Sequence, residues 1–271
     1  MHRHLSCRLA RRSAVRAALI TACTALPGLL HAAEPGYDTR PEVRRFAAEV
    51  AQRRQLDADW VLQQLREAEL RPAAQRLMMP PPAGQPKNWA AYRERFVEPR
   101  RIQAGVDFWR ANETALTRAE TRLGVPPEII VGIIGVETFY GRVLGNFRVL
   151  DVLATLACDF PAGRSDRSAY FREELEEFLV LARREGVAPA SLRGSFAGAI
   201  GLPQFMPGSI NRHALDFDED GHVDLTGSAA DAVGSVAQFL AEHGWQRGMA
   251  PTFPVTPPAD LAERARLLVP D

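Results

Sequence analysis

Val125-Pro126-Pro127-Glu128-Ile129-Ile130-Val131-Gly132-Ile133-Ile134-Gly135-Val136-Glu137-Thr138-Phe139-Tyr140-Gly141-Arg142 is the stretch around which the rest of the chain is arranged. The proline pair opens a helix, because the N–H that proline lacks would be unpaired at the first helical position anyway. The residues that follow are apolar all round, which predicts a buried helix. Gly141 is placed to end it. Into that apolar rod the sequence sets one carboxylate, Glu137, with Ile133 and Ile134 one turn back and Tyr140 three residues ahead. Burial disfavours the charged form of a carboxylate and raises its pKa. An acid that keeps its proton near neutral pH can protonate a leaving group. The alternative at this point is a structural ion pair with an arginine such as Arg142, since such pairs perturb titration too.

Working outward, residues 41–71 predict two amphipathic helices, the first opened by Pro41 and the second capped by Asp57, with Trp60, Val61, Leu65 and Leu70 at helical spacing. Residues 79–87 are a proline-rich connector. Next comes Trp89-Ala90-Ala91-Tyr92-Arg93, then a helical pattern through Ile102, Val106, Phe108, Trp109 and Leu116 to Leu123, closed by Gly124. Beyond the central stretch, residues 149–153 read as a buried helix, residues 159–168 as a polar loop, and residues 170–185 as an amphipathic helix. The acids of that last helix, Glu173, Glu174, Glu176 and Glu177, read as a solvated face. The last clear helix spans residues 231–243. Strand signal is slight, so the chain is mainly α.

Two further stretches carry chemistry. Gly194-Ser195-Phe196-Ala197-Gly198-Ala199-Ile200-Gly201 lets backbone approach something closely. It lacks the Gly-Lys-Ser/Thr of a phosphate loop, and Ser195 is outside the frame of a hydrolase nucleophile. Just after it, Gln204 is a polar amide among Phe205, Met206 and Pro207, so it needs a partner if buried. Asp216-Phe217-Asp218-Glu219-Asp220-Gly221-His222-Val223-Asp224 is the sharper signal. Its carboxylates at loop positions 1, 3 and 5, glycine at 6 and apolar residue at 8 match the start of an EF-hand loop, whose hard oxygen ligands suit Ca²⁺. At position 12, where a bidentate Glu is usual, stands Gly227; the next acid in line is Asp231.

Zinc-protease, paired Cys-x-x-Cys and dinucleotide motifs are absent. A conventional glycosidase needs two carboxyl groups across the scissile bond, and the central stretch supplies one. The formal net charge of zero hides an asymmetry. Residues 1–33 hold five arginines and no acid, and the remainder carries 28 basic against 33 acidic residues. A mildly acidic mature chain gives no electrostatic reason for nucleic-acid binding.

The N-terminus reads as an export signal: a basic region to Arg16, an apolar run over residues 17–30, and small residues at Ala32 and Ala33. Ile20-Thr21-Ala22-Cys23 also resembles a lipoprotein box, in which Cys23 would be acylated and hold the protein at the outer membrane. With simple cleavage Cys158 is the one cysteine left, and no internal disulfide can form.

The motifs above, taken in order with Gly135-Val136-Glu137-Thr138, Tyr140-Gly141-Arg142 and Gln204-Phe205-Met206-Pro207, resemble the lytic murein transglycosylase B family, glycoside hydrolase family 103, over residues 89–245. The resemblance implies a lysozyme-like helical core at residues 89–246 with an EF-hand-like metal loop at 216–231. Around it lie a signal peptide at 1–33, an N-terminal helical region with its connector at 34–88, and a proline-rich tail at 247–271. It implies a monomer in the periplasm that cleaves peptidoglycan glycan strands between N-acetylmuramic acid and N-acetylglucosamine, with no organic cofactor. Glu137 matches the catalytic acid. Tyr92, Ser195, Gln204 and Phe205 match positions lining the site, and Arg167 a position near the peptide stem. Asp216, Asp218, Asp220 and His222 match the calcium ligands, and Asp231 the last of them, displaced by a one-residue insertion. Family members continue past the equivalent of Pro270 with a segment that walls the groove. The expected alternative is therefore a shortened murein-binding or scaffold protein with little turnover, carrying exposed apolar surface where that segment would pack.

Overall fold

The computed structural model describes residues 36–80 and 88–267. The expected leader, Cys23 and most of the proline-rich connector lie outside the described residues. A 3-10 turn at Tyr37–Thr39 leads into α1 (Pro41–Arg54), α2 (Ala58–Glu67) and α3 (Pro72–Met78). Asp57 caps α2 as expected, its carboxylate accepting the Trp60 N–H at 2.7 Å. Then follow α4 (Trp89–Phe96), α5 (Pro99–Ala111), α6 (Glu113–Leu123) and α7 (Pro127–Thr138). The second half holds α8 (Val149–Cys158), α9 (Ser168–Arg184), α10 (Pro207–His213), α11 (Ala229–Glu242) and α12 (Leu261–Leu267). Two short strands, β1 (Phe147–Arg148) and β2 (Arg193–Gly194), pair antiparallel with Phe147 opposite Gly194.

The core is built around α8, buried from Val149 to Ala157. Leu150, Leu153 and Leu156 are fully buried, each contributing about 2 kcal/mol of transfer free energy. Along its length α8 packs on α9, whose Phe171, Leu175, Phe178 and Leu179 face it. The N-terminal helices are fastened to α8 by polar contacts as well as apolar ones. Asp151 has no exposure at all, and its carboxylate accepts the Arg71 Nε–H at 2.7 Å and the Glu69 N–H at 3.1 Å. Asp151 is the buried partner and Arg71 the half-buried one, so losing the arginine is the costlier change, eased by Arg148 at 3.5 Å from the same carboxylate. Asp159 likewise takes the Tyr37 hydroxyl at 2.8 Å and the Arg40 guanidinium at 2.8 Å.

Three expectations are corrected. The pattern through Ile102 to Leu123, read as one helix, is two, α5 and α6, with α4 before them over the Trp89–Arg93 stretch. Glu98 accepts the N–H groups of Arg100 and Arg101 and so caps α5 with Pro99 at its first position, while Asn112 separates α5 from α6. The acidic run on α9 is not a solvated face: Glu174 and Glu176 are buried, Glu176 held by Arg53 and Arg54 and Glu174 accepting the Gly208 N–H at 2.8 Å. Finally, α7 ends at Thr138 rather than at Gly141, with Phe139 and Tyr140 both left-handed at φ 52° and 58°. The Phe139 N–H returns to the Gly135 carbonyl, and Tyr140 packs its ring on Phe108 of α5. Those contacts hold a conformation that non-glycine residues rarely adopt.

Candidate active site and metal loop

Glu137 is the penultimate residue of α7. It is exposed, as is Val136 beside it, so the expectation of an acid buried in an apolar rod is corrected. The apolar face of α7 that enters the core carries Ile130, Val131 and Ile134, and Glu137 stands on the rim of that packing. Desolvation by the protein on its inner side still raises its pKa above the ordinary carboxylate value. The carbonyl end of a helix acts in the same direction, being unfavourable to negative charge. Among the described residues Glu137 has no ion pair. Arg142, the candidate partner, instead lies over the Phe139 ring at 4.6 Å.

The turn after Glu137 is tied to the glycine-rich segment. Thr138 is fully buried, its hydroxyl donating to the Leu202 carbonyl at 2.9 Å and accepting the Gly141 N–H at 3.1 Å. Ile200 and Phe205 exchange backbone hydrogen bonds, which makes residues 200–205 a closed turn. Gln204 sits in it with φ 52°, its amide donating to Gly201 O at 2.9 Å and Leu144 O at 3.2 Å. This is the partner the sequence demanded for that amide. Ser195 folds its Oγ back on its own loop, accepting the N–H groups of Ala197 and Ala199. Phe205 is buried against Phe239 of α11, with ring centroids 5.2 Å apart.

The glycines of this segment let the protein approach itself. A Cβ on Gly194 would stand 2.2 Å from the Ala199 carbonyl oxygen, and one on Gly145 would stand 2.2 Å from that of Gly194. The loop after α7 and the 194–205 segment are thus locked together beside Glu137. Tyr92 lies on α4 and reaches this region through a relay: its ring meets Phe96 at 4.9 Å, and the Arg101 guanidinium spans Phe96 and Phe139. Arg167 is exposed at the start of α9 over the Tyr170 ring at 4.7 Å, and among the described residues no hydrogen bond or ring contact joins it to Glu137, Ser195 or Gln204. An apolar groove of about 520 Å³ between α5 and α7 is lined by Ile102, Val106, Trp109, Val131 and Tyr140, not by Glu137.

Sequence reasoning gave no role to Arg101 or Thr138. Arg101 donates to the Gly135 carbonyl at 2.8 Å and so steadies the end of α7 from α5; nothing sets it apart from its neighbour Arg100 in the sequence. Thr138 carried a usable signal, a lone hydroxyl following the acid in an apolar helix.

At the metal loop, carboxylate oxygens of Asp216, Asp218 and Asp231 come within 4.8 Å of one another. Gly221 takes φ 95°, the conformation an EF-hand loop asks of its sixth residue. Asp231, at the start of α11, is 1% exposed and accepts the N–H groups of Phe217, Asp218 and Asp224. Asp220 lies outside the three-carboxylate cluster, with Oδ1 accepting the His222 N–H, and His222 is exposed. Convergent carboxylates in a looped backbone fit a hard divalent cation.

A family model described as a transglycosylase SLT domain matches residues 38–268. Membrane-bound lytic murein transglycosylase B of Escherichia coli (strain K12) is 43% identical over 220 residues, which cover 78% of this chain and 60% of that protein. The chain thus spans about 60% of the length of this curated relative. The crystal structure of soluble lytic transglycosylase SltB1 from Pseudomonas aeruginosa superposes with a TM-score of 0.73 at 44% identity, covering 78% of this chain and 69% of that one. The Escherichia coli lytic transglycosylase Slt35 in complex with calcium gives a TM-score of 0.70 at 45% identity, covering 77% and 64% of the two chains.

Proposed function

Because this chain belongs to the transglycosylase SLT domain family, in its lytic murein transglycosylase B group, we propose that it cleaves the β-1,4 bond between N-acetylmuramic acid and N-acetylglucosamine in peptidoglycan, leaving 1,6-anhydromuramic ends. Glu137 is the single acid and base. Protonated, it gives its proton to the glycosidic oxygen as the bond to C1 breaks. As a carboxylate it then takes the proton of the muramic C6 hydroxyl, whose oxygen attacks C1 and closes the anhydro ring. Neither water nor a second carboxylate is consumed, and the substrate's acetamido group supports the cationic C1. The reading rests on one observation above the rest: a carboxyl of raised pKa on the helix end that Thr138 fastens to the Gln204 turn.

Tyr92, Ser195, Gln204 and Phe205 line the sugar path in this account, and Arg167 meets the peptide stem. Calcium, bound by Asp216, Asp218 and Asp231 with Asp220 and the His222 carbonyl completing the set, would supply a positive centre that holds the loop closed against α11. The N-terminal signal delivers the protein to the periplasm. The exposure of Glu137 and Val136 favours a second reading, a murein-binding protein with little turnover. Incubation of the protein with murein sacculi separates the two. Soluble anhydro-muropeptides that disappear in Glu137→Gln are the expected result; binding without release would establish the second reading.

A further inference from the structure

Helix α4 buries none of its residues, yet it carries three aromatic side chains, Trp89, Tyr92 and Phe96, at positions i, i+3 and i+7. That spacing puts them on one face, and an apolar stripe at helical spacing ordinarily faces a core. Here it faces outward: Trp89 is 70% exposed and Tyr92 49% exposed. The rings are ordered among themselves. Trp89 and Tyr92 stack at 5.5 Å with 22° between their planes, and Tyr92 and Phe96 follow at 4.9 Å. With Asn88, Ala91 and Arg95 the outer two rings line a concave surface of about 730 Å³. At its inner end the stripe is continued by Arg101, whose guanidinium lies 5.2 Å from the Phe96 ring and 4.4 Å from that of Phe139, two residues beyond Glu137.

We propose that the α4 stripe is an outer glycan-binding platform, on which Trp89 carries a sugar ring beyond the one at Tyr92 and Arg95 pairs with a carboxylate of the muramyl substituent. This rests on the reading of Glu137 as acting on peptidoglycan. Three features select the occupant. A pyranose presents C–H faces of slight positive charge between hydroxyl edges, and the negative face of an aromatic ring attracts such a surface. Successive sugars of one strand need successive rings, which a row leading toward the acid provides and an isolated patch would not. The charged side chain placed in the concavity, beside the neutral Asn88, is Arg95, whose planar fork matches carboxylates, and the peptide stems of murein carry these. A purely apolar partner would leave Arg95 without an acceptor.

The test uses the full chain with Glu137→Gln, which retains the surface without turnover, and measures binding to isolated murein glycan strands and to a single disaccharide-peptide. Adding Trp89→Ala is expected to weaken strand binding about three- to tenfold, the range of one aromatic contact, while disaccharide-peptide binding stays within twofold. Trp89→Phe, which keeps a ring, should recover most of the loss. Arg95→Gln should weaken binding to stem-bearing murein strands more than binding to chitin oligosaccharides, which carry no carboxylate. Melting temperature tracks folding, and an exposed Trp89 predicts none of the variants shifts it. Equal strand binding by the Trp89→Ala and parental proteins would overturn the platform while leaving the role of Glu137 standing. If the Glu137→Gln protein binds no murein at all, both fall. A dimer that dissociates on Trp89→Ala with strand binding unchanged would show the face to be a contact between copies and would also overturn it.

Discussion

The hydroxyl of Thr138 lies 2.9 Å from the carbonyl oxygen of Leu202, so the residue after the catalytic candidate is bonded across 64 positions to the turn that holds Gln204. A helix end is ordinarily the place where a helix frays. Here it is clamped on both flanks, by Thr138 to that turn and by Arg101 to the Gly135 carbonyl.

Thr138→Val keeps the shape and removes the clamp. It leaves the buried Leu202 carbonyl and the half-buried Gly141 N–H without their partner, at a cost of about 2 kcal/mol. Denaturant titration checks that figure. Turnover of sacculi is expected to fall more than the lost stability explains at a temperature where the variant is fully folded.

Gly194→Ala tests the locking of the two loops. Its Cβ would meet the Ala199 carbonyl oxygen at 2.2 Å and Val149 at 3.0 Å. Since backbone must shift, the expected loss is about 3 kcal/mol, read as a fall in melting temperature of about 6–12 °C. An unchanged melting curve would contradict the close approach.

The metal loop separates two roles that carboxylates share. Calcium at a hundredfold excess over its Kd should add about 2.7 kcal/mol of stability, removed by chelator. Asp216→Asn is expected to abolish that response and to cost the metal-free protein no more than about 1 kcal/mol, since one of the two exposed loop N–H groups that its carboxylate accepts, those of Asp220 and Gly221, keeps an acceptor. Asp231→Ala should destabilise the protein even without calcium, by about 3 kcal/mol, because three loop N–H groups lose their acceptor.

The raised pKa of Glu137 has a sign that can be followed. A carboxyl whose folded pKa exceeds its unfolded value costs the folded state once it ionises, so the penalty grows as pH rises through the unfolded pKa and is full above the folded one. Glu137→Gln should therefore melt at an equal or higher temperature than the parent at neutral pH, with any difference gone in acid. Activity, which needs the protonated form at the first step, should decline on the alkaline side of the same titration. A more stable parent at neutral pH would contradict this.

Local rules made much of this fold readable. The Asp57 cap, the Gly124 stop and the apolar run of α8 are short-range signals, and the structure follows them. The acids of α9 were misread because Arg53 and Arg54 stand more than 120 positions away, and only the tertiary fold brings them to Glu176. The exposure of Glu137 has a related cause. An apolar composition predicts burial of a helix as a whole, but whether its last turn is covered depends on what packs there. In the site, the pairing of Gln204 was foreseeable from an amide among apolar neighbours, whereas the Arg101 bridge between Phe96 and Phe139 has no counterpart in the spacing of residues.

The central claim, that Glu137 serves both halves of a waterless cleavage, is tested most directly by digesting murein sacculi in heavy-oxygen water and weighing the muropeptides released. The account predicts muramic ends one water lighter than the hydrolysed product and free of the heavy isotope, formed by the parent and not by Glu137→Gln. Reducing muramic ends that carry the label would contradict it.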